Sequence, residues 1–345
     1  MVPSTVRVAA AQYAIDALPR LEQLRGKLQR WVAEAAANGA KLLVFPEFAG
    51  MEFASLSDRR ATPDRRSPDR HKLGPFPVMP ATRRIKPSLD WETSAVQSAL
   101  HEYFATHADL AMEHGIYILA GSVPVRDSGD IRNRAYLFAP DGTAGFQDKI
   151  VPTRWERDVW GVRGGEQIQT FDTELGPIGI AICYDVEFPL VARLQAEAGA
   201  RIILTPCCCD SLRGYYRVRV GARARALENQ AYVIQSPMIG DSHWSGTIGS
   251  SVGSAAIYGP PDLGPKPNGV IAQATSGDPG WVYADLDLGA VDRIRRGGDV
   301  IANQEEWNSH LRFQKAIKGQ FGADPKITAV AAPTVDSISV TLKAD

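Results

Sequence analysis

The sequence predicts an α/β fold in which two sheets pack face to face with helices outside, and three observations carry that expectation. The chain opens on a strand, a helix and a second strand, the β-α-β unit from which such folds are built. Short strand-like runs then recur down the chain, too many for one small sheet. No internal repeat and no linker-like stretch divides the 345 residues.

The first strand is "VRVAAAQY" (6–13). Over residues 17–38, Leu18, Leu21, Leu24, Leu28, Trp31 and Val32 follow helical spacing, and Asn38-Gly39 ends the helix. "KLLVFPEF" is a short buried strand that meets a proline. Residues 54–90 are rich in Arg, Asp and Pro without periodicity, which reads as a solvated loop or as a lid or subunit-contact loop. A helix is expected over about 94–114, then strands at 115–125, 133–140 and 144–150 with turns at "DSGD" and "DGT". Strands at 168–173 and 177–183, a helix at 187–198, the strand "RIILTP", a helix at 215–228 and the strand "AYVIQSP" follow. Further strands are expected near 253–258, 270–274 and 281–285. This reads as one domain over 1–317, with an apolar tail at 318–345 that could contact a neighbouring subunit.

Composition is ordinary for a globular chain, with 44% hydrophobic and 22% charged residues. A formal net charge of −1 gives no reason to expect nucleic acid or an anionic membrane as partner. The four cysteines, three of them adjacent (Cys207, Cys208, Cys209), form no disulfide framework. With no signal-peptide pattern and no apolar run near the roughly 18 residues of a membrane span, a cytoplasmic, reduced protein is expected. Adjacent cysteines cannot chelate one tetrahedral ion without strain, so no metal is expected at 207–209.

The fourth cysteine is placed differently. In "GIAICYDVEFP", Cys183 stands where a strand ends and a helix begins. Such an elbow exposes a side chain, aims backbone N–H groups at it and favours the thiolate. The six histidines lie on helices or loops away from strand ends, three of them on or at the end of the 94–114 helix, where a solvated face is expected. Glu47, in contrast, follows a strand directly and Lys149 ends one, and ligands gather at the carboxyl ends of strands in α/β sheets.

These residues resemble the nitrilase superfamily of carbon–nitrogen hydrolases. The resemblance rests on "FPEF" around Glu47, "DKIVPTRWE" around Lys149 and "ICYDVEFP" around Cys183, at spacings of 102 and 34, and extends over about residues 5–290. It implies a four-layer α-β-β-α sandwich, a homodimer or larger assembly, a small-molecule amide or nitrile substrate and no cofactor. It also implies catalysis by Glu47 as general base, Lys149 as oxyanion stabiliser and Cys183 as nucleophile, with Glu156 as a second, orienting glutamate and the Tyr184 backbone N–H as an oxyanion donor. Tyr184-Asp185 after the cysteine looks like the amidase branches, whereas "PTRWERDVWG" looks like nitrilases. Amide, nitrile and N-carbamoyl amide hydrolysis therefore all stay open. Proximity to the motifs suggests Phe53, Trp155, Cys207 and Cys208 as pocket residues, and Arg154, Arg157 or Arg213 as a cation for a substrate carboxylate. A serine-hydrolase reading of "GSSVG" around Ser251 fails, because a strand-like run follows where a helix is needed. A non-catalytic binding module of the same fold is the remaining class, and the complete set of four polar residues argues against it.

Overall fold

The computed structural model describes residues 4–57, 87–262, 267–275, 277–298, 300–302 and 304–305. The expected tail at 318–345 and most of the expected 54–90 loop lie outside them.

One six-stranded sheet has the order β14-β1-β2-β3-β4-β5. It is built from β1 (Thr5–Gln12), β2 (Leu42–Val44), β3 (Tyr117–Asp127), β4 (Asp130–Phe138), β5 (Ala144–Asp148) and β14 (Gly280–Asp287). The second has the order β13-β12-β9-β8-β7-β6. Its strands are β6 (Thr170–Phe171), β7 (Ile178–Ile180), β8 (Ile202–Cys207), β9 (Tyr232–Pro237), β12 (Ala256–Tyr258) and β13 (Val270–Gln273). Each sheet has three parallel central strands, β1-β2-β3 and β7-β8-β9, edged by antiparallel ones. A two-stranded ribbon of β10 (Gly240–Ser242) and β11 (Gly249–Ser251) stands apart.

Strand alternation sorts the side chains into layers. Val6, Val8 and Ala10 of β1 join the core that holds Ile178, Ile180, Ile202 and Leu204 of the other sheet. Ala9 and Ala11 face the opposite way, into a core with Leu24, Leu28 and Val32 of α1 (Leu21–Ala37) and Tyr103 and Leu110 of α3 (Leu100–His114). Val191 and Ala192 of α4 (Pro189–Glu197) and Tyr215, Val218 and Ala222 of α5 (Leu212–Asn229) cover the second sheet. The result is the four-layer α-β-β-α sandwich. Each large apolar side chain so buried contributes about 1.5–3 kcal/mol.

Local chemistry sets the helix ends. Ser211 caps α5 by accepting the Gly214 N–H at 3.3 Å, and Pro189 opens α4 at the position where its missing N–H costs nothing. Helix α1 begins later than the expected 17, because Asp16 and Leu18 donate their backbone N–H groups to Glu52 and Ser55 instead of entering a helix. The expected single helix at 94–114 is two, α2 (Pro87–Ser98) and α3, broken at Ala99. Strand β7 stops at Ile180, short of the expected 183, so that the chain turns before the cysteine. A 3₁₀ turn at Ala49–Leu56, a π turn at Glu156–Trp160 and helix α6 (Leu288–Gly297) have no counterpart in the sequence reading.

Gly121 matters for the site. Its φ is +76°, and a Cβ there would stand 2.1 Å from the Pro46 carbonyl oxygen. The β3–β4 register shifts between Leu119 and Ser122. This bulge lets Ser122 receive the Phe48 N–H at 3.0 Å and seats the chain around Glu47 against β3.

Candidate active site

Four strand ends converge. Glu47 follows β2, Lys149 follows β5, Cys183 follows β7 and Cys208 follows β8. Glu156 enters from the π turn, a helix form often found at functional sites. Two residues at this junction hold left-handed backbone without being glycine: Phe48, next to Glu47, at φ 62° and Cys183 itself at φ 50°. Such a conformation costs about 1–3 kcal/mol and persists only where its surroundings fix it. It turns the Cys183 side chain away from the line of β7.

The charges form one buried cluster. Lys149 Nζ donates to Glu47 Oε1 at 2.7 Å and to Glu156 Oε2 at 2.6 Å. Asn133 of β4 donates from Nδ2 to Glu47 Oε1 at 2.9 Å and to Glu156 Oε1 at 3.0 Å. The Cys208 N–H reaches Glu47 Oε2 at 3.0 Å, and the Thr153 N–H reaches Glu156 Oε2 at 2.8 Å. The Cys183 thiol approaches the Cys208 carbonyl at 4.0 Å. Asp185, in the 3₁₀ turn Cys183–Glu187, accepts the N–H groups of Val151 at 2.8 Å, Ile150 at 3.0 Å and Ile182 at 3.3 Å. It thereby ties the chain after Lys149 to the turn bearing the thiol.

Burial and charge pull these groups in different directions. Burial raises the pKa of Glu47, assisted by the Glu156 charge and opposed by Lys149. Glu156 is buried too, but Lys149 and the Thr153 and Asn133 donors outweigh burial and hold it below the usual carboxylate range. Lys149 stays protonated because its two carboxylate neighbours overcome burial. Burial pushes Asp185 up to about 7, against the pull of Lys149 and the backbone donors. The Cys183 thiol is pushed well above its usual value by its hydrogen bond with Cys209, by burial and by the charge of Glu47, against Lys149. The elbow was expected to favour the thiolate; these influences win instead. At rest Cys183 is therefore held as the thiol.

A pocket of about 200 Å³ opens over the cluster, lined by Glu47, Lys149, Glu156 and Cys183 and walled by Trp155 and Tyr184. Of the other suggested pocket residues, Cys208 lines it and Phe53 and Cys207 do not. Phe53 packs on Tyr103 and His107, with ring centroids 5.3 and 5.9 Å away. Cys207, the last residue of β8, points into the core, and Cys209 lines the pocket in its place. None of Arg154, Arg157 and Arg213 reaches the lining, whereas Arg217 does, hydrogen-bonded to Glu187 at 3.2 Å. His107 is not on a solvated face: it is buried among Tyr103, Phe53 and Phe138, and burial lowers its pKa to about 4. Ser251 ends β11, with a strand and not a helix following. Among the described residues, no group of three or more metal-ligating side chains is placed to hold an ion, and no helix is long and apolar enough to cross a membrane. The sequence reading did not single out Asn133, and Asp185 entered it only as part of the Tyr184-Asp185 pair, not as a residue that ties the site together.

Residues 7–296 match the family described as Carbon-nitrogen hydrolase. The chain is 30% identical over 312 residues to "Probable hydrolase YhcX" of Bacillus subtilis (strain 168), covering 90% of this chain and 56% of that protein, so it spans little more than half of that relative. It is 24% identical over 302 residues to "Omega-amidase NIT2" of Danio rerio, covering 85% of this chain and 92% of that one. Among solved structures, Nit3 of Saccharomyces cerevisiae, a nitrilase-superfamily member, superposes with a TM-score of 0.60 at 20% identity, covering 86% of this chain and 94% of that one. An amidase from Nesterenkonia sp. does so at 0.58 and 18%, covering 90% and 98%.

Proposed function

The chain belongs to the carbon–nitrogen hydrolase family, and on that premise we propose that it hydrolyses a small-molecule amide through a thioester on Cys183. The observation that carries this reading is the Lys149 ammonium, held 2.7 Å from Glu47 and 2.6 Å from Glu156 in a pocket whose wall includes the Cys183 thiol.

Glu47 takes the S–H proton as the sulfur bonds to the carbonyl carbon. The carbonyl π pair moves to oxygen, and the oxyanion is met by the Lys149 ammonium and the Tyr184 N–H. Two of the three Lys149 donors are accounted for by the glutamates, which leaves one for that oxygen. Glu47 returns its proton to nitrogen as the C–N bond breaks. Water then gives a proton to Glu47 and attacks the thioester, the C–S bond breaks, and sulfur recovers a proton from Glu47. Amide and water have become acid and amine. Glu156, kept ionised, fixes Lys149 and balances its charge.

The "omega-amidase" and "amidase" names of relatives support the amide over the nitrile and the N-carbamoyl compound. Ammonia release across a panel of those three classes tests the choice, and turnover of nitriles alone would overturn it. Intact mass spectrometry should find an acyl adduct on the wild type and none on Cys183→Ala. Because burial raises Glu47, the acidic limb of kcat/KM should lie above the ordinary glutamate value, activity falling as pH drops and Glu47 becomes protonated.

Self-association is part of the proposal. Leu212, Tyr216 and Val220 follow one another at four-residue intervals on α5 and are 62%, 55% and 65% exposed. Light scattering should show an oligomer that Val220→Glu weakens. A reducing, cytoplasmic setting is supported by the four free cysteines.

A further inference from the structure

Asn133 touches every member of the charge cluster. Its carbonyl accepts the Lys149 N–H at 2.8 Å, and its side-chain amide donates to Glu47 at 2.9 Å and to Glu156 at 3.0 Å. The register explains how: β4 pairs Arg134 with Asp148, so Asn133 lies beside the residue that follows β5, which is Lys149. The side chain is fully buried.

Only one amide orientation works. Turned over, the amide would aim its oxygen at two carboxylates. As placed, both N–H groups face the acids and Oδ1 has no hydrogen-bond partner among the described residues. A buried carbonyl oxygen left unsatisfied is costly. Here it accompanies two hydrogen bonds to ionisable acceptors, which are about twice as strong as neutral ones.

We propose that Asn133 is a positioning residue: its carbonyl and its amide together hold Lys149, Glu47 and Glu156 in the arrangement in which Glu47 can take the thiol proton. This rests on Glu47 acting as the base, as proposed above. Two carboxylates flanking one ammonium carry a net negative charge and repel each other. Asn133 supplies two donors between them without adding charge, so neither acid needs a proton to stay in place. The groups facing Glu47 are Lys149 after β5, Glu156 on the π turn, the Cys183 thiol after β7 and the Cys208 N–H after β8. Asp185 lies on the 3₁₀ turn that bears Cys183, with Glu187, Asp210 and Arg217 at the pocket wall. Of all these, Asn133 alone has a side chain that bonds both glutamates without bearing charge.

A donor to a carboxylate favours its ionised form, so removing it raises the pKa. Asn133→Leu, close in size, should move the acidic limb of kcat/KM upward by about one pH unit, a tenfold loss below the limb that largely recovers at higher pH. The same displacement should appear in the rate of Cys183 carbamidomethylation by iodoacetamide against pH. That reaction needs no substrate, so a wild type inactive on amides and a limb that does not move are separate results. A uniform loss at every pH, with the limb unmoved, would make Asn133 a mere packing residue and overturn the proposal; unchanged kinetics would do the same. Should Asn133→Leu fail to fold, Asn133→Ser, whose hydroxyl is too short to reach both glutamates, must show the upward displacement or the proposal fails.

Discussion

Lys149 and Lys27 are both buried lysines held by buried glutamates, yet their surroundings are finished differently. Lys27 Nζ donates to the Ala14 carbonyl at 2.6 Å and to Glu52 Oε1 at 2.5 Å, and pairs with Asp16 at 2.8 Å. The other Glu52 oxygen takes the Tyr13 hydroxyl at 2.6 Å. Every donor of that ammonium is used, and the cluster closes the 3₁₀ turn just after Glu47. Lys149 has two donors committed, and its glutamate also meets a thiol beneath a pocket. Burial raises the pKa of Glu47 and Glu52 alike. A shifted pKa therefore does not separate the two clusters; a spare donor, a thiol and an opening do.

The sharpest way to break this contrast is to remove each lysine. Lys149→Met should lower kcat/KM by about 10³-fold in protein that still folds. Lys27→Met should leave turnover per folded molecule nearly unchanged while costing about 3–5 kcal/mol of stability, because a buried charge loses its partner. Urea melts combined with active-site titration by iodoacetamide separate the two effects. If folded Lys27→Met were as inactive as Lys149→Met, the distinction would be gone.

Next in size is Gly121→Ala. The added methyl must displace the Pro46 carbonyl and adopt positive φ, which should cost about 2–4 kcal/mol in a thermal melt. Because Pro46 precedes Glu47, activity should fall further than stability explains.

A smaller effect is expected at Asp185, whose folded pKa of about 7 exceeds the ordinary aspartate value. The folded state binds this proton more tightly than the unfolded state does. Its contribution is therefore present below the unfolded pKa and lost as pH rises through about 7. Asp185→Asn should flatten the stability profile between about pH 4 and pH 8, measured by urea melts. Glu156 acts with the opposite sign: held low, it adds stability above its ordinary pKa that is lost as pH falls.

Least of all is expected from Arg154→Ala. Arg154 is exposed, outside the pocket lining and paired with Asp158 at 3.3 Å, so stability should change by less than about 0.5 kcal/mol and KM not at all. A large rise in KM would return it to the role first suggested for it.

Legibility in the sequence follows the same physics. Glu47, Lys149 and Cys183 could be found because each ends a run whose apolar pattern marks a strand. Asn133 could not, because it looks like any polar residue at a strand start, and only the β4–β5 register brings it to Lys149. Phe53 and Cys207 were misplaced by reading nearness in sequence as nearness in space. Alternation along β8 sends Cys207 inward, and the 3₁₀ turn carries Phe53 toward α3. The break at Ala99 is marked by neither proline nor glycine, so the expected helix ran through it.

Asn133 lies in one sheet, and Glu47 and Lys149 follow strands of that sheet, whereas Cys183 and Cys208 follow strands of the other. Glu47 and the Cys208 N–H that meets it are 161 residues apart in the chain. Contacts of such long range close late as a chain folds. During refolding, thiol alkylation and turnover should therefore lag behind the return of helical signal, so that enzyme activity reports the final docking step.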